Sequence, residues 1–336
     1  MFSQCFGDAR EANTEADNVS ALSFDKTGKY LATGDNAGRV VLFNKTDISK
    51  GNWTVHHQFQ SHDPEFDYLK SLEIEEKINS IEWCAPIGAK LSLLSANDKS
   101  VKLWKVSDRK TKVAGKKFSS IRDGVLSISS RPQYQMFRYA TAKHVYTNAH
   151  SYHINSVSAN SDCETFLSAD DLRINWWHMD KPDSCFNVVD IKPNNMEELT
   201  EVITAAKFHP EHCNILAYSS SRGMIKIVDT RMSALCDKSA RVFEEPDDPN
   251  ERTFFTEIIA SISDFSFGDQ GRYIVSRDYL SLKIWDMYME SRPVKVINIH
   301  NHLNSLLCEL YEADQLFDKF RVAASPDFKY ILSGGY

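Results

Sequence analysis

The sequence predicts an all-β fold, a β-propeller, on three observations: a recurring block of three short strand-like runs, a tight turn at the same place in each block, and an aromatic or aliphatic residue closing it. The blocks are ALSFDKTGKYLATGDNAGRVVLFN (21–44), SIEWCAPIGAKLSLLSANDKSVKLWK (80–105), SVSANSDCETFLSADDLRINWWHM (156–179), AAKFHPEHCNILAYSSSRGMIKIVDT (205–230) and DFSFGDQGRYIVSRDYLSLKIWDM (264–287). A sixth opens at FRVAASPDFKYILSGGY. Each block makes a small sheet that cannot bury both its faces by itself. Blocks set side by side around an axis cover both faces and leave only short edges.

Within a block, the closing positions are Phe43, Trp104, Trp177, Val228 and Trp285, and Val228-Asp229 and Trp285-Asp286 show the WD signature most plainly. Core packing accounts for these residues. The closing positions stand about 61, 73, 51 and 57 apart, against roughly 40 to 45 in an ordinary WD repeat. The surplus is inserted loop, and long loops in a compact domain are usually functional or disordered. A single propeller domain over 1–336, unfinished at its C-terminus, is therefore expected.

The insertions hold the chemistry. FQSHDPEFDYLKSLEIEEKIN (59–79) mixes aromatics with carboxylates. The interval 107–146 reads as a projecting hairpin between the second and third blocks, with Arg109, Lys110, Lys112, Lys116 and Lys117 toward its tip. Such a ribbon needs a partner to be stably placed. SADDLR offers Asp170 and Asp171 as an acid/base dyad, a cation-attracting lip or plain solvated turn carboxylates. In 191–208, Met196, Leu199 and Val202 or Ile203 fall at helical spacing behind Asn195, a candidate N-cap. That helix either packs on the rim or walls a groove for a partner segment.

Composition excludes several classes. With 46 acidic and 39 basic residues, the net charge of −7 gives no general attraction for nucleic acid or an anionic membrane. No phosphate-binding glycine loop, GxSxG elbow or HExxH pair is present, so neither catalysis nor a cofactor is expected. The histidine pairs, His56 with His57 and His209 with His212, lack the partners of a metal site and read as surface or loop residues. Seven scattered cysteines without a CxxC pair suggest a reducing compartment, each being a small buried hydrophobe. The start of the chain lacks a secretory signal, which adds to the expectation of a cytosolic or nuclear protein.

At the insertions the chain resembles the 55-kDa, WD-repeat regulatory B subunits of protein phosphatase 2A. The matching words include LATGD (31–35), FQSHDPEFDYLKSLEIEEKIN, NAHSYHINS (148–156), SADDLRIN (168–175), NMEELTEVITAA (195–206), FEEPDDP (243–249), RDYLSLKIWDM and LYEAD (310–314) with FDKF. The resemblance implies a seven-bladed propeller, here blades one to five and part of a sixth. It implies docking on the phosphatase's helical-repeat scaffold (A) subunit through a hairpin arm, with phosphoprotein substrate held over one face beside the catalytic (C) subunit. Substrate-contacting positions carried over on matching motifs are Glu15, Lys70, Glu73, Tyr152, His153, Asp171, Met196, Leu199 and Val202, then Phe254, Phe255, Tyr311, Glu312, Asp314 and Lys319. After LATGD the family tends to have lysine where this chain has Asn36. The alternative from the residues alone is a generic propeller adaptor, such as a ubiquitin-ligase substrate receptor, and a hydrolase using Asp170 and Asp171 ranks last.

Overall fold

The computed structural model describes residues 4–6, 14–47, 52–69, 71–86, 88, 90–113, 117–122, 125–130, 133–236, 240–245 and 253–335. Blade one is a meander of β1 (Val19–Phe24), β2 (Tyr30–Asp35), β3 (Arg39–Asp47) and β4 (Asn52–Gln60), each pair antiparallel. Its turns follow from short-range chemistry. The Asp25 carboxylate accepts from the backbone N–H groups of Thr27 and Tyr30 at 3.2 and 2.7 Å, closing the β1–β2 turn. Gly38, at φ +76°, lies so close to the His62 carbonyl that a Cβ would stand 2.2 Å from it, so only glycine fits the β2–β3 turn.

The link to blade two contains a small hairpin, β5 (Glu65–Asp67) with β6 (Leu72–Ile74). Blade two comprises β7 (Ser80–Trp83), β8 (Leu91–Ala96), the long β9 (Val101–Val113) and, after a second hairpin of β10 (Lys117–Arg122) and β11 (Val125–Ser130), β12 (Gln133–Tyr146). The expected arm is thus not a spacer between blocks. It is the outward continuation of the blade's own third and fourth strands, paired from Val101 with Tyr146 out to Val113 with Gln133. Blade three is β13 (Ser156–Ala159), β14 (Thr165–Ala169), β15 (Arg173–His178) and β16 (Lys181–Asp190). Blade four is β17 (Ile203–Phe208), β18 (Ile215–Ser220), β19 (Ile225–Asp229) and β20 (Arg241–Phe243). Blade five is β21 (Asp264–Gly268), β22 (Tyr273–Arg277), β23 (Ser281–Asp286) and β24 (Lys295–Asn298), and β25 (Val322–Ala324) pairs with β26 (Ile331–Ser333) beyond it.

Each of the five blocks therefore supplies the three strands its pattern shows, and a fourth strand follows in the interval read as inserted loop. The outer strands escaped the pattern because they lack a clean buried face: in β16, seven of ten residues lie on or near the surface before Val188 and Val189 turn inward. The first strands β1, β7, β13, β17, β21 and β25 adjoin one another in that order around the axis. The core consequently lies between blades. Leu42, Ile81 and Leu93 fill the space between blades one and two, Leu103, Phe166 and Trp177 that between two and three. Ile174, Ile203 and Leu216 join three to four, and Ile227, Phe265 and Trp285 join four to five. At the two ends of the series, Leu22 and Phe24 on β1 and Leu332 on β26 remain exposed.

The closing tryptophans do more than pack. The indole N–H of Trp177 donates to the Ser168 hydroxyl at 2.9 Å, Trp285 to Ser276 at 3.0 Å, and Trp104 to Ser95 at 3.1 Å. In each case the serine stands nine residues earlier, and two residues after it comes Asn97, Asp170 or Asp278. That side chain accepts from backbone N–H groups of the following turn and clamps it. The spacing was legible in the sequence as a Ser-x-Asp/Asn and Trp register. Packing alone is corrected to packing plus a buried polar chain that fixes the blade's top turn.

Two further expectations change. Cys236 is buried and Cys84 and Cys213 are half-buried, but Cys5, Cys163, Cys185 and Cys308 are exposed. His209 is a loop residue, as one of the two readings had it, but it is buried rather than on the surface. Its Nδ1 accepts from the N–H groups of Glu211 and His212 at 3.1 and 3.0 Å, with 4% of the residue exposed.

Buried neutral imidazoles make stability depend on pH. Burial pulls His62 down to about 3, with Lys102 adding to the effect, and burial also lowers His56, His57, His209 and His300. Each folded pKa lies below the unfolded one, so this stabilisation is fully present above about pH 6.5 and is lost as pH falls toward the folded values. Glu82, pushed by burial up to about 7, acts with opposite sign: its contribution is present below the unfolded value and lost as pH rises through 7. Histidines outnumber it. Urea unfolding is expected to show stability falling from pH 6.5 to 5, with His62→Asn flattening the slope; a rise in stability over that interval would refute the assignment.

Candidate recognition face

A four-stranded meander repeated around an axis sorts its links by parity. The links from second to third strand, and from each blade to the next, fall on one face, here the upper; the remaining links fall on the lower. Glu15 sits in a 3-10 turn (Glu15–Asp17) leading into β1. Glu73 lies on β6, Tyr152 and His153 between β12 and β13, and Asp171 between β14 and β15. Met196, Leu199 and Val202 lie between β16 and β17, Phe254 and Phe255 on α1 (Phe254–Ile259), and Tyr311 and Glu312 on α2 (Leu307–Glu312), followed by Asp314 and Lys319 before β25. Every one of these is an upper-face link. Lys70 lies outside the described residues. The arm, joining a third strand to a fourth, leaves from the lower face.

The face has two textures. Phe254 and Phe255 meet Tyr311 edge-on, with ring centroids 5.5 and 6.0 Å away, and Phe317 adds a ring 5.8 Å from Tyr311. Phe254 and Phe317 remain more than half exposed, which is the composition of a recognition patch. Between this cluster and the blade tops opens a cleft of about 410 Å³, lined among others by Phe254, Ile258, Tyr279, Phe317 and Lys319. Phe317 was missed in the sequence because only its neighbours in FDKF marked it. The α1 helix starts at Thr253, whose hydroxyl accepts from the Thr256 N–H while the Thr256 hydroxyl accepts from the Thr253 N–H.

The second texture is charged. Burial pushes the Asp171 carboxyl up, and Lys319 and His153 pull it back, so three carried-over residues from three links share one electrostatic neighbourhood. The His153 Nδ1 also stands 3.4 Å from Asp98. At the far edge, hydrogen bonds from Arg39 and Thr14 hold Asp17 down at about 2. Asn36 donates from its side chain to the Glu15 carbonyl at 3.1 Å, so the residue standing in place of lysine anchors the turn that bears Glu15.

Asp170 and Asp171 are not a dyad. Asp170 is 0% exposed, and its oxygens are taken by the His150 imidazole at 2.9 Å and the N–H groups of Leu172 and Arg173 at 2.8 and 2.7 Å. Asp170 is part of the blade; Asp171 alone faces the platform. The helix expected from Met196 to Val202 is also corrected. It is one 3-10 turn (Met196–Glu198) capped by Asn195, whose side chain accepts from the Glu197 N–H at 3.2 Å, and Ile203 is drawn into β17 by pairing with Ser220. Among the described residues, no group of three His, Cys, Asp or Glu side chains is placed to hold a metal ion.

Five four-stranded blades with a populated upper face define a WD-repeat propeller whose chemistry resides in its links. A sequence profile described as "WD domain, G-beta repeat" matches residues 10–44, which embrace β1 to most of β3. Relatives match far more. The regulatory B subunit of protein phosphatase PP2A from Schizosaccharomyces pombe is 54% identical over all of this chain and 75% of its own length. The gamma isoform of the rat 55 kDa regulatory B subunit of serine/threonine-protein phosphatase 2A is 50% identical over 96% of this chain and 75% of its own. The Caenorhabditis elegans phosphatase 2A regulatory subunit sur-6 is 51% identical over 97% and 69%. The chain belongs to the 55 kDa regulatory B subunit family of protein phosphatase 2A, whose members are regulatory and not catalytic.

Proposed function

We propose that this protein joins a phosphatase 2A holoenzyme through its scaffold and catalytic subunits and selects phosphoprotein substrates on its upper face. The observation that carries the reading is the convergence, on one face, of all the described residues that the family resemblance singles out. The exposed rings around Tyr311 suit the apolar side of a partner helix. The carboxylates Glu73, Asp171, Glu312 and Asp314 suit basic residues beside a phosphosite, in keeping with the net charge of −7. The arm, leaving the opposite face with Phe137 and Tyr139 exposed near Arg109, is free to reach the scaffold without obstructing substrate.

Affinity purification of the chain tests assembly: scaffold and catalytic subunits should co-purify, and a preparation lacking both would sink the proposal. Asp171→Lys should then weaken capture of phosphoprotein roughly tenfold or more while scaffold binding stays unchanged, since a like charge is set against Lys319 and against basic substrate. Equal loss of both activities would make Asp171 structural.

A further inference from the structure

We infer that Lys226 and Glu201 form the anchor that holds the Met196–Val202 segment in its recognition geometry, as one case of a loop-anchoring position built into the third strand of the blades. The position is two residues before the closing residue: Lys102, Asn175, Lys226 and Lys283, ahead of Trp104, Trp177, Val228 and Trp285. Each sends its polar end to the link above its blade. Lys102 donates to the Ser61 carbonyl at 3.0 Å and Asn175 to the Ala149 carbonyl at 3.2 Å. Lys283 reaches the Glu245 carboxylate at 2.5 Å, and Lys226 reaches that of Glu201.

Blade four depends on this contact most. In blade two the preceding link is also tied to the blade by the Ser61 hydroxyl, bonded to Ser95 and to the Trp104 indole, and in blade three by the buried His150, bonded to Ser168 and Asp170. The link 191–202 contains no histidine, and Val228 replaces the tryptophan that would bind a serine below it. Among the described residues, the hydrogen bonds of 193–200 all stay inside the segment. Its fixed point is at its end, where the Glu201 side chain turns inward, 16% exposed, to meet Lys226, 13% exposed, over the Tyr218 ring. The neighbouring Val202 N–H donates to the Ser221 hydroxyl at 3.1 Å, and the Ile203 N–H to the Asp171 carbonyl at 2.7 Å. Turning Glu201 inward thus sets Val202, Leu199 and Asp171 relative to one another. A shielded ion pair is screened little and loses strongly when one partner goes. Glu201 and Lys226 are positioning residues, and the inference rests on the upper-face reading for its consequence in substrate choice.

The test is amide hydrogen exchange on the full chain, followed by capture of a lysine-rich amphipathic peptide bearing one phosphothreonine on the purified holoenzyme. Glu201→Gln and Lys226→Met are each expected to raise exchange at residues 196–200 at least tenfold, leave the strands β17 to β19 unchanged, and weaken peptide capture about tenfold without loss of scaffold binding. The charge swap Glu201→Lys with Lys226→Glu should restore protection. Unchanged exchange at 196–200 in whichever single variant folds overturns the anchor, as does a rise spread evenly over the strands. A local rise in exchange with no capture of the peptide even by the unmodified holoenzyme upholds the anchor and removes the substrate reading instead.

Discussion

Trp285→Ala is expected to lower the unfolding free energy by about 3 to 5 kcal/mol, the range for truncating a large buried aromatic. Trp285 is 1% exposed and packs edge-on against Phe243 at 6.1 Å, within the cluster joining blades four and five. Its removal opens a cavity between blades that cannot close without shifting β21 against β17. Ser276 also loses its donor, and an unsatisfied buried hydroxyl adds a cost of about 1 to 3 kcal/mol. Trp285→Phe largely separates the two effects, since it loses the N–H but keeps most of the buried aromatic volume. Urea denaturation should place it at about a third of the alanine loss. Equal losses would show that packing contributes little and that the hydrogen bond dominates.

Asp170→Ala is expected to cost about 3 kcal/mol or more, although the residue is small. Burial alone would push its carboxyl upward, but His150 and the N–H groups of Leu172 and Arg173 outweigh that and hold it below the ordinary range. Alanine would strand all three partners at a position that is itself fully buried. Asp170→Asn should cost less, because an amide oxygen still accepts from the turn. The adjacent Asp171→Ala should change stability by less than about 1 kcal/mol, having few fixed partners to strand. Comparable midpoints for the two alanine variants in urea would refute the division of labour between these neighbours.

Much of this was legible in the sequence. The five blocks and their closing residues sit where the pattern placed them. The fourth strands were not legible, because an outer strand such as β20 (Arg241–Phe243) buries one side chain, Phe243, and shows no alternation. The helix expected at Met196 to Val202 failed for a different reason. Local spacing favoured it, but the chain is extended from Leu199 and Ile203 pairs with Ser220 in the β17–β18 ladder, so tertiary pairing overrides the local signal. Asp170 and Asp171 could not be told apart, since neighbouring carboxylates in a turn differ only by which one the blade encloses.

The sequence by itself determined the blades and their chemistry, because strand alternation, turn residues and the Ser, Asp and Trp register act over distances of ten residues or fewer. Only the tertiary structure decided that Glu15 and Lys319, more than three hundred positions apart, share one face. It also decided that Glu201 turns inward while Val202 stays on the platform. The four-stranded meander repeated around an axis imposes the first, because it sets the parity of every link, and the pairing with Lys226 imposes the second; no local signal encodes either.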